Sequence, residues 1–336
     1  MASVQSYFEM FHSKIRLDEN DENIKLREKR DVILRDLRGR LPNDMPTFTH
    51  FHQGSYSLNT GTCPLDGNYD IDIGVVFDCK KDKYTDPVSL KEKVRDALTY
   101  LNRTVNIRRP CVTVNYISNG KTEYHVDLAI YVKRDDGLLD IAMGKEHSEA
   151  SKRIYQVAAP QKLTQLINDR FSGDDAAQFR RCIRYLKRWR DVQFANGGAP
   201  LSIALTVAAY EKFQPSKDLI SGNFKDLLAM RAWVNNILSG FSFQSTEEGF
   251  AQRISVMLPV EPYCDLMIKH TNDQMKVLKE KLTTLYEVLN KAVDEALPED
   301  ACKLLSKQFG NEFPVPSKQE TAKTVNAPYV SAGTSA

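Results

Sequence analysis

The clearest alternation of apolar and polar positions runs from residue 69 to residue 77, and it predicts an extended strand. Side chains two positions apart share a face of a strand, so one face carries Ile71, Ile73, Val75 and Phe77. The opposite face carries Asp70, Asp72 and Gly74. Such a strand packs its apolar face on a core and projects both carboxylates together, about 7 Å apart along the chain.

Three further strands are predicted beside it. Residues 48–51 form a short strand that leads into a turn. Residues 105–117 and 123–132 alternate in the same way, and the Ser-Asn-Gly-Lys segment between them favours a hairpin. In the last strand one face carries His125, Asp127, Ala129 and Tyr131. Two different strands therefore carry carboxylates in the middle of a predicted sheet.

Helical periodicity dominates the rest of the chain. Before the strands, helices are predicted at residues 3–16 and 21–41, and a third starts at residue 86 or 87 and ends near 102. After residue 160 the pattern changes from strands to helices, at residues 163–171, 174–194, 201–210, 224–238, 273–297 and 300–309. From residue 313 onward no hydrophobic period remains, which is typical of a disordered tail.

These elements predict an α/β (α+β) protein with a mixed sheet, a long N-terminal helix that braces it, and a helical C-terminal lobe. The expected organisation is a catalytic core with its brace helix at residues 1–160, a helical lobe at 161–312 and a tail at 313–336.

Composition narrows the classes of protein. A chain of 336 residues can bury two substantial cores, and a net charge of +2 argues against a general nucleic-acid coat. No apolar run is long enough to span a membrane and the first residues lack a signal pattern, so we expect a cytoplasmic protein. Its 6 cysteines form no Cys-x-x-Cys pair, which favours reduced thiols and argues against a structural zinc site.

The polar face of the first strand carries the candidate chemistry. Asp70 and Asp72 repel each other unless a cation lies between them, and Mg²⁺ prefers oxygen ligands of this kind. Upstream, Gly54 permits close approach of the backbone, and the Ser55 hydroxyl can donate to a phosphate. A phosphate-holding turn followed by paired aspartates indicates nucleotidyl transfer.

Asp127 has two interpretations. It could face solvent on a sheet that is covered on one side only. A charge in the middle of a strong strand is otherwise costly unless something neutralises it. We therefore favour Asp127 as a third carboxylate of the site formed by Asp70 and Asp72.

Several motifs in consistent order resemble the DNA polymerase β-like nucleotidyltransferase superfamily. They are Gln53-Gly54-Ser55-Tyr56, Tyr69-Asp70-Ile71-Asp72, Val126-Asp127-Leu128, the basic helix from Cys182 to Trp189, and Pro200-Leu201-Ser202. Within this superfamily the chain is similar to the CD-NTases, the bacterial relatives of cyclic GMP-AMP synthase. The similarity extends over roughly residues 20–310.

The resemblance implies roles for single residues. Asp70 and Asp72 would hold two Mg²⁺ ions, with Mn²⁺ as an alternative, and Asp127 would ligate the ion nearest the attacking hydroxyl. Gln53, Gly54 and Ser55 would contact the donor nucleotide. Lys187 and Ser202 would hold its β- and γ-phosphates from the helical lobe. For Lys187 the alternative is one cation of a solvated basic face, and for Ser202 it is an ordinary residue at the start of a helix.

The implied function is synthesis of a cyclic di- or trinucleotide from NTPs, with ATP and GTP as substrates, a downstream effector as partner and a role in anti-phage defence. One alternative is an enzyme with a linear product, of the oligoadenylate or tRNA-end type. The other is an NTP-binding pseudoenzyme with a regulatory role. The carboxyl end at Ala336 is a candidate point of conjugation to another molecule. Zinc-dependent DNA sensing is not expected, because it requires a His/Cys cluster that this sequence lacks.

Overall fold

The structure is a computed structural model, and it describes residues 3–17, 21–100, 103–118, 121–247 and 249–317. The hairpin turn at residues 119–120 and the conjugation point at Ala336 lie outside the described residues. No helix of the described part is long and apolar enough to cross a membrane.

One mixed sheet forms the first half of the molecule. Its described strands are β1 (Phe48–His52), β2 (Tyr69–Phe77), β3 (Arg103–Ile107), β4 (Val112–Ser118), β5 (Lys121–Lys133), β6 (Leu139–Met143) and β7 (Ile154–Ala158). The strand order is β1-β2-β5-β4-β3, and β6 pairs with β5 and with β7. β2 and β5 run parallel, whereas the other neighbours are antiparallel. The parallel pair is the one whose strands carry the three aspartates.

The helices divide into two groups. Those around the sheet are α2 (Asp21–Arg40), the single turn α3 (Gly54–Ser57) and α4 (Pro87–Leu98). The others are α1 (Gln5–Ile15), α5 (Pro160–Asn168), α6 (Gly173–Gln193), α7 (Ser202–Lys212), α8 (Asp226–Leu238), α9 (Asn272–Asp294) and α10 (Pro298–Phe309), with a hairpin of β8 (Ser242–Thr246) and β9 (Gly249–Arg253).

The apolar face of β2 packs as the alternation predicts. Ile71, Ile73, Val75 and Phe77 are buried in one cluster with apolar side chains of α2 and α4. Because this face lies on the helices, the aspartates of β2 are on the face that looks away from them. The predicted polymerase β-like nucleotidyltransferase fold, with its mixed sheet and helical lobe, is confirmed.

Two predicted boundaries move. α1 does not belong to the predicted catalytic core, because Phe8 and Phe11 pack on Tyr185 of α6 within the core of the helical lobe. The long N-terminal helix α2 does pack on the sheet. At the other end, Phe313 is only 2% exposed and stacks on Phe309, so the packed chain extends past the residue at which a tail was expected to begin. An apolar side chain outside any regular period carries no sequence signal of its burial.

The strand predicted at residues 105–117 is two strands. β3 ends at Ile107 and β4 begins at Val112, with Pro110 in the turn between them. Proline donates no backbone hydrogen bond, and the two strands pair with each other as an antiparallel hairpin. The sequence reading also missed β6 to β9, which are each 5 residues long.

We expect Phe313→Ala to lower the free energy of unfolding by about 3 kcal/mol or more, because it removes a fully buried ring from a cluster of aromatic side chains. Val315→Ala is the control, since Val315 is 42% exposed and should change stability little. Urea unfolding of both variants measures the difference. Equal, small effects would mean that the chain after α10 does not contribute to the core.

Candidate active site

The three aspartates meet because β2 and β5 are parallel and in register. Asp72 lies directly opposite Asp127, and Asp70 lies opposite His125. Residues paired in this way present their side chains to the same face of the sheet. The pairing therefore places the carboxylates of Asp72 and Asp127 side by side, with Asp70 two positions away on the same face.

Each carboxylate raises the free energy of charging its neighbours. Burial raises the pKa of Asp72 to about 7, and the charges of Asp70 and Asp127 add to that increase. Burial also raises the pKa of Asp70, where His125 acts in the opposite direction and Asp127 raises it further. A divalent cation at this position would relieve the repulsion.

The oxygen ligands fit Mg²⁺ by their chemistry. No group of three His, Cys, Asp or Glu side chains within the described part of the chain is already arranged to hold a metal ion. The carboxylates are thus neighbours with the right donor atoms, and side-chain rotation would be needed to close them around an ion.

Thr113 orients the third carboxylate. Its hydroxyl donates to Asp127 Oδ1 at 2.6 Å across the β4–β5 pair, where the two residues are in register. This bond occupies Oδ1 of the carboxylate and leaves Oδ2 available for a ligand. The sequence reading missed Thr113, although it alternates with apolar neighbours on the strand next to Asp127.

The position of the Asp72 carboxylate requires a glycine at residue 54. It has a φ of +66°, and a Cβ atom added there would lie 2.0 Å from Asp72 Oδ2. The preceding amide of Gln53 donates to the backbone oxygen of Asp72 at 3.2 Å, which fixes the turn on the strand. The missing side chain therefore first makes room for a carboxylate of the protein itself.

Buried cations of helix α6 contact the loop that follows α3. Lys187 is buried, and its Nζ donates to the backbone oxygen and to Oγ1 of Thr60, both at 3.0 Å. Burial lowers the pKa of Lys187 to about 7, with help from Arg190 and Arg184, while Asp70 opposes that decrease. An approaching anion would favour the protonated, charged form of Lys187.

The alternative of a solvated basic face is wrong for the middle of α6. Arg184 and Arg188 are buried together with Lys187. Arg184 Nε donates to the oxygen of Gly61 at 3.1 Å, and Arg188 Nη2 donates to that of Cys63 at 2.6 Å. Three successive cations of one helix thus bind three neighbouring carbonyls of the loop after α3.

A cavity of about 730 Å³ lies beside this loop, between the aspartate strand and the start of α7. Its volume is in the range of small-molecule sites. The predicted residues that line it are Gly54, Ser55, Asp70, Asp72, Lys187 and Ser202. Gln53 and Asp127 are not part of its lining, and Gln53 Oε1 instead accepts a bond from the Tyr131 hydroxyl at 3.0 Å.

Arg190 and Asp191 line the cavity as well, and the sequence reading did not assign them to the site. Arg190 donates to Ser202 Oγ and to Asp191 Oδ1. Arg190 lies about one turn after Lys187 on the same side of α6, and this spacing could have identified it from the sequence. The cavity is therefore lined both by carboxylates of the sheet and by cations of α6.

Comparisons with known proteins find similar sequences and similar folds. Residues 48–131 match a family model described as cyclic GMP-AMP synthase DncV-like, nucleotidyltransferase domain, and residues 176–319 match the cyclic GMP-AMP synthase C-terminal domain. A cyclic GMP-AMP synthase of Escherichia albertii is 30% identical over 200 residues, which are 56% of this chain and 43% of that protein. The match thus spans less than half the length of that curated relative.

Solved structures are similar over nearly the whole chain. The Vibrio cholerae DncV cyclic AMP-GMP synthase has a TM-score of 0.71 at 17% identity, covering 94% of this chain and 98% of the other. The Escherichia coli DncV has a TM-score of 0.60 at 18% identity, covering 85% and 76%. At such identities the likeness shows the fold.

We expect Gly54→Ala to lower kcat for NTP turnover by about 100-fold or more, because the new methyl group displaces the Asp72 carboxylate. Gly137→Ala is a matched control: its φ is +78°, so it has the same backbone strain, but nothing lies within 4 Å of the added atom. Thermal unfolding of both variants separates strain from displacement. Equal loss of activity in the two would contradict the assignment of Gly54 to the site.

Proposed function

Because the chain belongs to the CD-NTase family of nucleotidyltransferases, we propose that it joins two or three NTPs into a cyclic nucleotide. The observation that carries this proposal is one cavity lined by the carboxylates of Asp70 and Asp72 and by the buried cation Lys187. A triphosphate needs cationic contacts for its terminal phosphates, and the transferred phosphorus must lie near the metal-binding carboxylates.

The substrates we propose are ATP and GTP. One structure of Vibrio cholerae DncV contains ATP and GTP together, and a second contains the linear intermediate 5′ pppA(3′,5′)pG. Transfer of this chemistry to the present chain is supported by the family match and by the cavity volume of about 730 Å³. The choice of bases remains part of the proposal.

The residues at the sheet side of the site would bind the metal ions and the donor phosphates. Asp70, Asp72 and Asp127 would hold two Mg²⁺ ions, which supply activation of the attacking ribose hydroxyl and neutralisation of the pyrophosphate. Asp127, oriented by Thr113, would ligate the ion nearest that hydroxyl. The Ser55 hydroxyl would donate to the donor phosphates, beside the backbone of Gly54.

The helical lobe would hold the other end of the donor nucleotide. Lys187 and Ser202 would bind the β- and γ-phosphates, and Arg190 would position Ser202 through the bond between them. Gln53 would contact the nucleotide through its side-chain amide nitrogen, since its Oε1 accepts the bond from Tyr131. The pseudoenzyme alternative is disfavoured, because a module that only binds NTP has no need for three adjacent carboxylates.

Further parts of the proposal concern the cell. The product would activate an effector in anti-phage defence, and the reaction would take place in the cytoplasm, where the free cysteines of the chain stay reduced. Conjugation at Ala336 would add regulation, and an intact-mass measurement of the chain from its native cells would detect the adduct.

The product class is tested by incubating the protein with labelled NTPs and Mg²⁺, followed by phosphatase treatment and mass spectrometry. We expect products that resist phosphatase, since a cyclic nucleotide has no terminal phosphate. A ladder of phosphatase-sensitive oligomers would instead favour the linear-product alternative.

We expect the double variant Asp70→Asn with Asp72→Asn to lose product formation by about 1,000-fold or more, because it removes the charge that holds the metal ions. The fold should persist, since the substitution also removes two repelling charges. Asp78→Asn is the control, because Asp78 is exposed and directly follows the same strand. Pyrophosphate release at the unmodified rate in the double variant would exclude this metal site.

We expect Lys187→Ala to raise KM for NTP by about tenfold with a smaller change in kcat, because the ammonium contacts phosphates away from the attacked bond. Lys162→Ala, exposed on α5, controls for loss of a positive charge. Initial rates over a range of NTP concentrations separate the two constants. An unchanged KM would restrict Lys187 to its bonds with Thr60.

A further inference from the structure

The face of the sheet that carries the aspartates continues beyond them as a layer of two aromatic rings. Gly74 follows Asp72 by two positions on β2. Phe51 of β1 and Ala129 of β5 lie opposite it in the ladder. Tyr131 follows Ala129 by two positions on β5, so it projects from this face as well. We name Phe51 and Tyr131 the ring pair.

The ring pair lies against the sheet because small residues leave space for it. A Cβ atom added to Gly74 would lie 2.3 Å from the ring carbon Cζ of Phe51. The centroids of the two rings are 5.8 Å apart, and their planes are tilted by 38°. Ala129 and Tyr131 are buried in one apolar cluster, against which Phe51 packs. A larger side chain at residue 74 would push the Phe51 ring off the strand, so this glycine determines where the layer lies.

Tyrosine gives the ring pair one polar group, its hydroxyl. The hydroxyl of Tyr131 donates to Oε1 of Gln53 at 3.0 Å, and thus connects β5 to the turn that follows β1. Tyr131 is only 3% exposed, and a buried hydroxyl without an acceptor would be an unsatisfied donor. Burial raises the pKa of Tyr131, and the charge of Asp72 raises it further, so the hydroxyl keeps its proton and remains the donor.

This bond determines which atom of Gln53 remains for a ligand. An amide side chain offers an oxygen that accepts and a nitrogen that donates. Because Oε1 already accepts from Tyr131, the nitrogen Nε2 is the atom left for a ligand, and it can only donate. Among the residues that the structure describes, Nε2 has no hydrogen-bond partner.

The backbone of Gln53 is held by the strand that carries Asp72. Its amide donates to the backbone oxygen of Asp72 at 3.2 Å, and the next residue, Gly54, lies against the Asp72 carboxylate. The main chain of Gln53 is therefore fixed by β2 and its side chain by β5. The two strands that carry the carboxylates thus also determine where a free hydrogen-bond donor lies.

We propose that Tyr131 is a positioning residue for the donor nucleotide and acts through Gln53. Its hydroxyl holds the Gln53 amide so that Nε2 faces the nucleotide, and the group that Nε2 contacts is an acceptor, such as a phosphate or ribose oxygen. A side chain that is already oriented loses less conformational entropy when a ligand binds. Phe51 and Gly74 support the tyrosine ring. This inference rests on the proposed function, because it concerns NTP binding at the same site.

Tyr131→Phe tests the hydroxyl, because it removes one oxygen and keeps the ring. Product formation is measured with ATP and GTP varied in turn, each at a saturating concentration of the other. We expect KM for at least one of them to rise about fivefold, with less than about a twofold change in kcat, because a contact present before and during the reaction is weakened. Tyr155→Phe is the matched control, since that hydroxyl is buried without a hydrogen-bond partner among the described residues. Unchanged KM values in Tyr131→Phe would overturn the proposal.

Coupling to Gln53 separates positioning from a merely structural effect. Gln53→Ala should raise KM about fivefold or more, and adding Tyr131→Phe should raise it less than about twofold further, because the hydroxyl then has nothing to orient. Equal fold increases with and without the Gln53 side chain would overturn the proposal. Gln53→Glu keeps an acceptor for the hydroxyl and loses the donor, so a normal KM in this variant would also overturn it. Gln53 is only half-buried, so its variants keep the test decisive if Tyr131→Phe lowers the stability of the fold.

Nucleotide binding without turnover distinguishes this inference from the proposed function. Calorimetric titrations of the full chain use Mg²⁺ with non-hydrolysable analogues of ATP and GTP. If the unmodified protein binds an analogue but forms no cyclic product, an affinity about fivefold weaker in Tyr131→Phe and normal in Tyr155→Phe would support positioning and count against the proposed reaction. If cyclic product forms and Tyr131→Phe changes neither affinity nor KM, the reaction stands and positioning is wrong. Absence of both binding and turnover would count against both.

Discussion

The contact between α6 and the loop at residues 60–63 holds the two lobes in their working arrangement. Lys187, Arg184 and Arg188 give their hydrogen bonds to three carbonyls of this loop. Burying a cation costs several kcal/mol unless it is paired, and these bonds, together with the ion pair between Arg188 and Glu312 at 2.9 Å, offset part of that cost. The same helix packs on α1 and α10, which ties the loop to the core of the helical lobe.

This contact also positions Lys187 in the active cavity, and the groups opposite it are held in an unfavourable arrangement. Gly54 lies in the left-handed region against Asp72, whose pKa is raised to about 7 by burial and by its acidic neighbours. Such groups persist only where the surrounding structure fixes them. Here the register of β2 and β5 fixes the carboxylates, and the amide of Gln53 fixes the turn.

The sequence was informative where a local period was strong. Alternation along β2 predicted which side chains are buried, and the match of ordered motifs predicted the fold. Long-range contacts have no such period. Arg184 and Arg188 lie on the polar side of an amphipathic pattern, yet they are buried because a carbonyl loop more than 100 residues away covers them. The same reason explains why Thr113 and Phe313 were missed, since each acquires its role from a partner on another element.

The opposite charges that line the cavity are linked through the proposed substrate. Burial shifts Asp72 and Lys187 in opposite directions to pKa values of about 7, so near neutral pH each is only partly charged. A nucleotide bound with its metal ions would favour the charged forms of both groups, because the metal ions lie beside the Asp72 carboxylate and the phosphates beside the Lys187 ammonium. One proton would leave Asp72 while another is taken up by Lys187. Binding of the substrate would thus be coupled to the protonation states of both groups.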